Sequence, residues 1–286
     1  MSKDMRSIFI VGGNTMNRYY YVFKDQEKAS KFIADFTVCM AERCSSMTLG
    51  TATGSTFEGV YKNLAKQAEK LEPIRYIRQM DNYYQGPTCA KDGRTGYEQE
   101  IWDAIAKYIP GVDFDIPKEF AWDEYAEAIR YEASRGMAAQ YSTMWLQYVG
   151  IGGDGHIAFN EPGDDMYAGV HPVILAEQTV LDNARFFNGS TADVPKKAIT
   201  SGMADILGQS DIIVCAAFGE KKAKIVTKAV SEAVDVKNPA TLLQLFAGSL
   251  IYIFDEEAGK VLDGESCDLS DLSPEELADE IINSLG

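Results

Sequence analysis

A chain of 286 residues with a formal net charge of −16 repels nucleic acid and anionic membrane surfaces, and its 46% apolar content suffices for one large α/β core. No run approaches the ~20 apolar residues that a membrane helix requires, and Met1 to Arg6 is charged where a secretory segment would be apolar. Five cysteines (Cys39, Cys44, Cys89, Cys215, Cys267), with no Cys-x-x-Cys pair among them, read as free thiols of a reducing compartment, so a cytoplasmic protein is expected.

The apolar pattern then alternates between short runs and helical periodicity. Residues 7–11 and 19–23 read as strands, and 26–44 as a helix with Ala29, Phe32, Ile33, Phe36 and Met40 on one face. A strand at 46–49, a helix at 55–71 and a strand at 74–80 follow. Residues 85–95 read as a loop, 96–109 and 122–140 as helices, and 144–149 as a buried strand. Later come a short helix at 202–208, an apolar strand at 211–218, a helix to about 233 and a strand at 250–254. Ser273-Pro274-Glu275-Glu276 reads as a capping box opening the last helix. This alternation predicts a three-layer, doubly wound α/β fold, a mainly parallel sheet with helices on both faces, within one domain spanning 1–286.

Four strand-to-loop junctions carry candidate chemistry, and a parallel sheet gathers such junctions at one edge. Thr53-Gly54-Ser55-Thr56 offers amides and hydroxyls ahead of a helix, an arrangement suited to phosphate; Ser55 or Thr56 would equally serve as a plain helix cap. Asp81 leaves a buried strand, as a tuned general base or as a solvated turn former. Gly150 to Gly163 holds one of the two histidines, His156, between Asp154 and Glu161. Two carboxylates beside an imidazole can fix its tautomer and aim it, whereas the plain alternative is a tight turn with a satisfied histidine. Only His171 remains as a second imidazole, so a nitrogen-rich zinc site is not expected, and no metal or other cofactor is assigned. Arg185 and Lys222 complete the set as cations able to clamp a phosphate.

Together these segments resemble the glucosamine-6-phosphate deaminase (isomerase) family, within the larger group that includes 6-phosphogluconolactonases. The most specific match is the central run ending Asp154-Gly155-His156-Ile157-Ala158-Phe159-Asn160-Glu161-Pro162. Thr53 to Thr56, Met80-Asp81, Asn183 to Phe187, Ala198 to Gly202 and Gly219 to Ala223 support it. The resemblance implies conversion of glucosamine 6-phosphate, or an epimer such as galactosamine 6-phosphate, and water to a ketohexose 6-phosphate and ammonia without cofactor. It assigns ring opening to His156 with Asp154 and Glu161, C2-to-C1 proton transfer to Asp81, and phosphate binding to Thr53, Gly54, Ser55, Thr56, Arg185 and Lys222. The partner implied is a small amino-sugar phosphate, with no nucleic acid and no membrane, and a homo-oligomer is left open.

The chain departs from the family pattern at Asn82, where a glutamate is usual, at Ser55 and Phe57, where glycine and proline are common, and over its first ~45 residues. Gly163 to His171 holds two aspartates and no Lys or Arg, so activation by N-acetylglucosamine 6-phosphate, known for some members, is not expected. Two rival readings are a sugar-lactone hydrolase, for which Asp81 would be dispensable, and a sugar-phosphate-binding protein without turnover.

Overall fold

In the computed structural model, which describes residues 9–11, 14–84, 96–138, 143–260, 262 and 269–285, the apolar runs become one seven-stranded sheet. The chain begins with a hairpin of β1 (Phe9–Val11) and β2 (Asn14–Met16), then β3 (Arg18–Phe23), α1 (Gln26–Arg43), β4 (Ser46–Thr51) and α2 (Glu58–Ala65). Next come β5 (Ile74–Gln79), β6 (Asp81–Tyr83), α3 (Gly96–Ala104), β7 (Asp113–Asp115), α4 (Trp122–Ala138) and β8 (Thr143–Gly150). Then follow β9 (His171–Ile174), α5 (Glu177–Asn183), β10 (Lys197–Thr200), α6 (Met203–Gln209) and β11 (Ile212–Ala217). The chain closes with α7 (Ala223–Ser231), β12 (Ser249–Asp255) and α8 (Pro274–Leu285).

The large sheet runs β3-β12-β11-β8-β4-β5-β7 with every pairing parallel. Side chains alternate across a strand, and β8 shows that both faces are covered. Trp145 packs with Tyr125, Ala126 and Ile129 of α4, whereas Tyr148, of opposite parity, stacks on Phe57 (4.9 Å between centroids) and meets Tyr61 of α2. The expected three layers are present. Strands buried on two faces need near-continuous apolar sequence, and β11 (Ile-Ile-Val-Cys-Ala-Ala) and β12 supply it.

Local signals explain several ends. Asp25 caps α1, accepting from the Lys28 amide (2.9 Å). At α8 the capping box forms as read: Ser273 Oγ accepts from the Glu276 amide (3.2 Å) and Glu276 Oε2 from the Ser273 amide (2.9 Å). The expected helix 55–71 is shorter, Glu58–Ala65, followed by a 3-10 turn at Ala68–Lys70. Its N-cap is Phe57 without a side-chain cap bond, so neither Ser55 nor Thr56 caps it. The loop read at 85–95 lies outside the described residues, as do Ser7 and Ile8 of the first expected strand.

A second sheet, β6-β10-β9, is antiparallel and was not visible as periodicity, because its strands have only three or four residues. It fastens the sheet edge that matters below. β10 pairs with β6 (Thr200 opposite Asp81), and the Ser201 amide donates to Met80 O (2.7 Å). Just beyond, a Cβ on Gly202 would stand 2.0 Å from the backbone oxygen of Ala168 and 2.3 Å from that of Gly169. Backbone cannot swing aside, so Gly202→Ala is expected to destabilise the fold by about 1–3 kcal/mol. A lowered urea midpoint at unchanged m-value checks it.

Candidate active site

The chain lays β4, β5 and β7 outward in one direction and β8, β11 and β12 in the other, so the order reverses between β4 and β8. Ligand crevices of open α/β sheets form at such a switch point, outside the carboxyl ends of the strands. Three of the junctions singled out in the sequence, and Lys222 of the fourth, follow β8, β4, β5 and β11, consecutive parallel neighbours whose ends span about 14 Å at ~4.8 Å per strand. Arg185 instead lies on a 3-10 turn (Ala184–Phe187) after α5.

Asp81 opens β6 immediately past β5, and only 6% of it is exposed. Its Oδ1 accepts from Gln79 Nε2 (2.9 Å), and Thr51 Oγ1 donates to Gln79 Oε1 (2.8 Å), which turns the amide donor toward the carboxylate. Burial dominates over this hydrogen bond and over the nearby His156, and lifts Asp81 to about 7, with Glu100 pushing the same way. A carboxyl tuned to neutrality can both take and return a proton. Asn82, on the opposite side of the strand, is buried and donates to Pro117 O (3.3 Å).

The loop after β8 is built around the imidazole. His156 Nδ1 lies 2.8 Å from Asp154 Oδ1, a close contact that falls outside hydrogen-bond geometry, and Asp154 Oδ1 also accepts from the His156 amide (3.2 Å). Partial burial raises the Asp154 carboxyl, but the His156 contacts outweigh it and hold the group at about 2, ionised throughout the working range. Gly152 makes room for the ring: a Cβ there would stand 2.3 Å from His156 Nδ1. Glu161 is buried, with Oε1 accepting from the Ala176 amide (3.2 Å) and Oε2 without a partner. Asp154, His156 and Glu161 each bring one ligand atom within 4.8 Å of the others. Such a trio could hold a divalent cation.

The loop is tied to Asp81 through β10. Thr200 Oγ1 accepts from the Phe159 amide (3.1 Å), and Asn160 Nδ2 donates to the oxygens of Ile157 (2.9 Å) and Ser201 (2.8 Å).

Lys222, N-capping α7, donates through Nζ to Ile151 O (2.7 Å) at the root of the same loop. Burial lowers its pKa, Arg185 adds to that, and Asp182 and Asp154 oppose it, so these four charges share one neighbourhood. Arg185 is exposed, its guanidinium 4.7 Å over the Phe186 ring. Thr53 hydrogen-bonds the Tyr97 hydroxyl, which donates to Tyr83 Oη (3.4 Å), and Asn183 Nδ2 donates to the same oxygen (3.0 Å). This chain joins the Thr53 loop, the Asp81 strand and the Arg185 turn. Thr56 Oγ1 lies over Gly150 at the end of β8, whereas Ser55 is exposed and its backbone oxygen accepts from Gln26 (2.9 Å). Asp81, the Asp154–Glu161 loop, the Thr53–Thr56 loop and Lys222 therefore stand at the ends of neighbouring strands, Arg185 shares the charged neighbourhood of Lys222, and nothing ties the Ser55 side chain to the others. The residues that sequence reading missed are Gln79, Tyr83, Tyr97, Asn183 and Glu100, whose Oε1 accepts from the Gly54 amide (3.2 Å). Of these, Asn183 left a signal as the first residue of the Asn183 to Phe187 segment, whereas Gln79 sits in a strand that already carries Arg75 and Arg78. Among the described residues, no helix is long and apolar enough to cross a membrane.

No family model matches the chain. It is 34% identical over 248 residues to a glucosamine-6-phosphate deaminase of Clostridium perfringens, covering 84% of this chain and 98% of that protein. It is also 38% identical over 218 residues to that of Halothermothrix orenii, covering 75% and 87%. Among solved structures, a monomeric glucosamine-6-phosphate deaminase superposes with a TM-score of 0.71 at 31% identity, over 86% of this chain and 100% of that one. A 6-phosphogluconolactonase from Leishmania guyanensis shares the fold (TM-score 0.63, 15% identity, covering 87% and 100%). With the Asp154-His156-Glu161 loop and Asp81 placed as described, the chain belongs to the glucosamine-6-phosphate deaminase family.

Proposed function

We propose that the protein converts glucosamine 6-phosphate and water to fructose 6-phosphate and ammonia. The observation that carries this reading is Asp81, a nine-tenths buried carboxyl lifted to about 7 beside His156. Lactone hydrolysis needs an activated water and leaves such a group idle, whereas moving a proton between two carbons needs it. In this reading His156, held by Asp154 and Glu161, moves the ring-opening proton. Asp81 then takes the proton from C2 and returns it to C1 through an enolamine; water adds to the resulting imine and ammonia leaves. Lys222, Arg185 and the Thr53–Thr56 loop hold the phosphate, so that binding energy remote from the reacting carbons positions them. Water supplies the ketone oxygen, which makes the reaction formally a hydrolysis. The free thiols of Cys39, Cys44 and Cys215 support a reducing, cytoplasmic setting.

The test is a panel of glucosamine, galactosamine and mannosamine 6-phosphates and 6-phosphogluconolactone, assayed for ammonia, ketose phosphate and acid release. Ammonia from an amino-sugar phosphate, unaffected by a chelator, is expected; lactone hydrolysis without ammonia from any of them contradicts the reading. A base must be ionised to act, so kcat/KM is expected to rise with pH through a limb near 7. A limb near pH 4, the value of an unperturbed aspartate, would remove Asp81 from the role.

A further inference from the structure

One carboxylate that the proposed reaction does not use lies directly on the Thr53–Thr56 loop. Glu100 projects from α3 onto the Thr53–Thr56 loop, and its Oε1 accepts from the Gly54 amide at 3.2 Å. The side chain keeps solvent access. Its charged neighbours are Glu58 and Asp81, both acidic, so electrostatics push it away and a single hydrogen bond from a neutral amide holds it. Resting on the proposed reading of that loop as the phosphate site, we propose that Glu100 is an internal competitor for the substrate's phosphate. It occupies the Gly54 N–H that a phosphoryl oxygen must take, and it thereby sets the affinity for phosphorylated sugars.

Two physical points carry the assignment. One N–H makes one good hydrogen bond, so carboxylate and phosphate cannot both hold it. A dianion arriving beside an ionised carboxylate in a partly desolvated cleft also meets like-charge repulsion several times stronger than in bulk water. A side chain with solvent access, one neutral donor and acidic neighbours can swing aside at modest cost. A carboxylate that recognised the substrate amine would act oppositely, since its removal would weaken binding.

The experiment measures KM for glucosamine 6-phosphate and the competitive inhibition constant of inorganic phosphate. It compares the wild type with Glu100→Gln, Glu100→Ala and, as reference, Lys222→Ala. Glu100→Ala is expected to lower both constants by about tenfold, or 1.4 kcal/mol. Glu100→Gln, which loses the charge but still offers Gly54 an acceptor, is expected to lower both by less, and Lys222→Ala to raise both. Tighter binding cannot come from a damaged fold, and the near-isosteric glutamine keeps an acceptor for Gly54 without the charge. If both constants stay level or rise in the Glu100 variants while Lys222→Ala raises them, the competitor role is wrong and the phosphate site stands. If inorganic phosphate does not compete and Lys222→Ala changes neither constant, the phosphate site is misplaced and the role of Glu100 falls with it.

Discussion

The Asp81→Asn variant is expected to lose about 10²- to 10⁴-fold in kcat and to stop exchanging the substrate's C2 proton with solvent, with KM little changed. Asparagine keeps the shape and can still meet Gln79 Nε2, which donates to Asp81 Oδ1 at 2.9 Å, but it cannot accept a proton from carbon. The same change is expected to stabilise the fold at neutral and alkaline pH. Burial raises Asp81 from an ordinary value near 4 to about 7. Between those values the folded chain holds a proton that the unfolded chain has released, so stability falls as pH rises through that window. Above about pH 8 the full cost is present, on the order of a few kcal/mol; below pH 4 both states are protonated and it vanishes. Urea midpoints of the two proteins at pH 8 and pH 4 check this: a higher midpoint for Asp81→Asn at pH 8 and equal midpoints at pH 4. Near-normal turnover in Asp81→Asn would mean that the base is elsewhere.

The second large effect belongs to the cations. Removing Lys222 or Arg185 takes a charge-assisted contact worth about 1.5–3 kcal/mol from the phosphate, or roughly 10- to 150-fold in KM. The two differ in setting. Lys222 is held by Ile151 O and its head group lies among Asp154, Asp182 and Arg185. Lys222→Ala also leaves the Ile151 carbonyl at the root of the His156 loop unpaired, so kcat is expected to fall along with the rise in KM. Arg185 is exposed, and Arg185→Ala is expected to act on KM alone, with an effect that shrinks as salt screens it. Kinetics at low and high ionic strength separate the two. An unchanged KM in both variants would place the phosphate elsewhere.

Six strands of the central sheet were legible, most clearly Ile212 to Ala217 and Leu250 to Phe254, which burial on two faces makes uninterrupted apolar runs; the edge strand β7, Asp-Phe-Asp, was not read. The His156 loop and Lys222 were legible because they follow such runs at β8 and β11, whereas Asp81 follows a strand that carries Arg75, Arg78 and Gln79, and Arg185, on a 3-10 turn after α5, showed only through its motif. What local pattern could not carry was long-range pairing. β6 meets β10 more than a hundred residues away, and only that pairing shows how Asp81 is tied to the segment carrying Phe159 and Asn160. Glu100 was equally hidden. Within α3 it is one acid beside Glu98 and Asp103, and only packing against Gly54 distinguishes it. The departure at Phe57 proves structural, since that ring is fully buried and stacks on Tyr148. Asp164 and Asp165, in the stretch without Lys or Arg, accept from the backbone amides of Glu161 (2.7 Å) and Tyr167 (2.9 Å), as turn-forming residues do.

Solvent isotope incorporation tests the central claim most directly. Wild-type protein is incubated with glucosamine 6-phosphate in deuterium oxide, and ammonia and the C1 position of the product are followed together. The account predicts ammonia release with the new hydrogen at C1 of fructose 6-phosphate drawn from C2, or from solvent deuterium where the Asp81 proton exchanges before its return, and loss of both ammonia and transfer in Asp81→Asn. Absence of ammonia, or ammonia release that persists undiminished in Asp81→Asn, would contradict it.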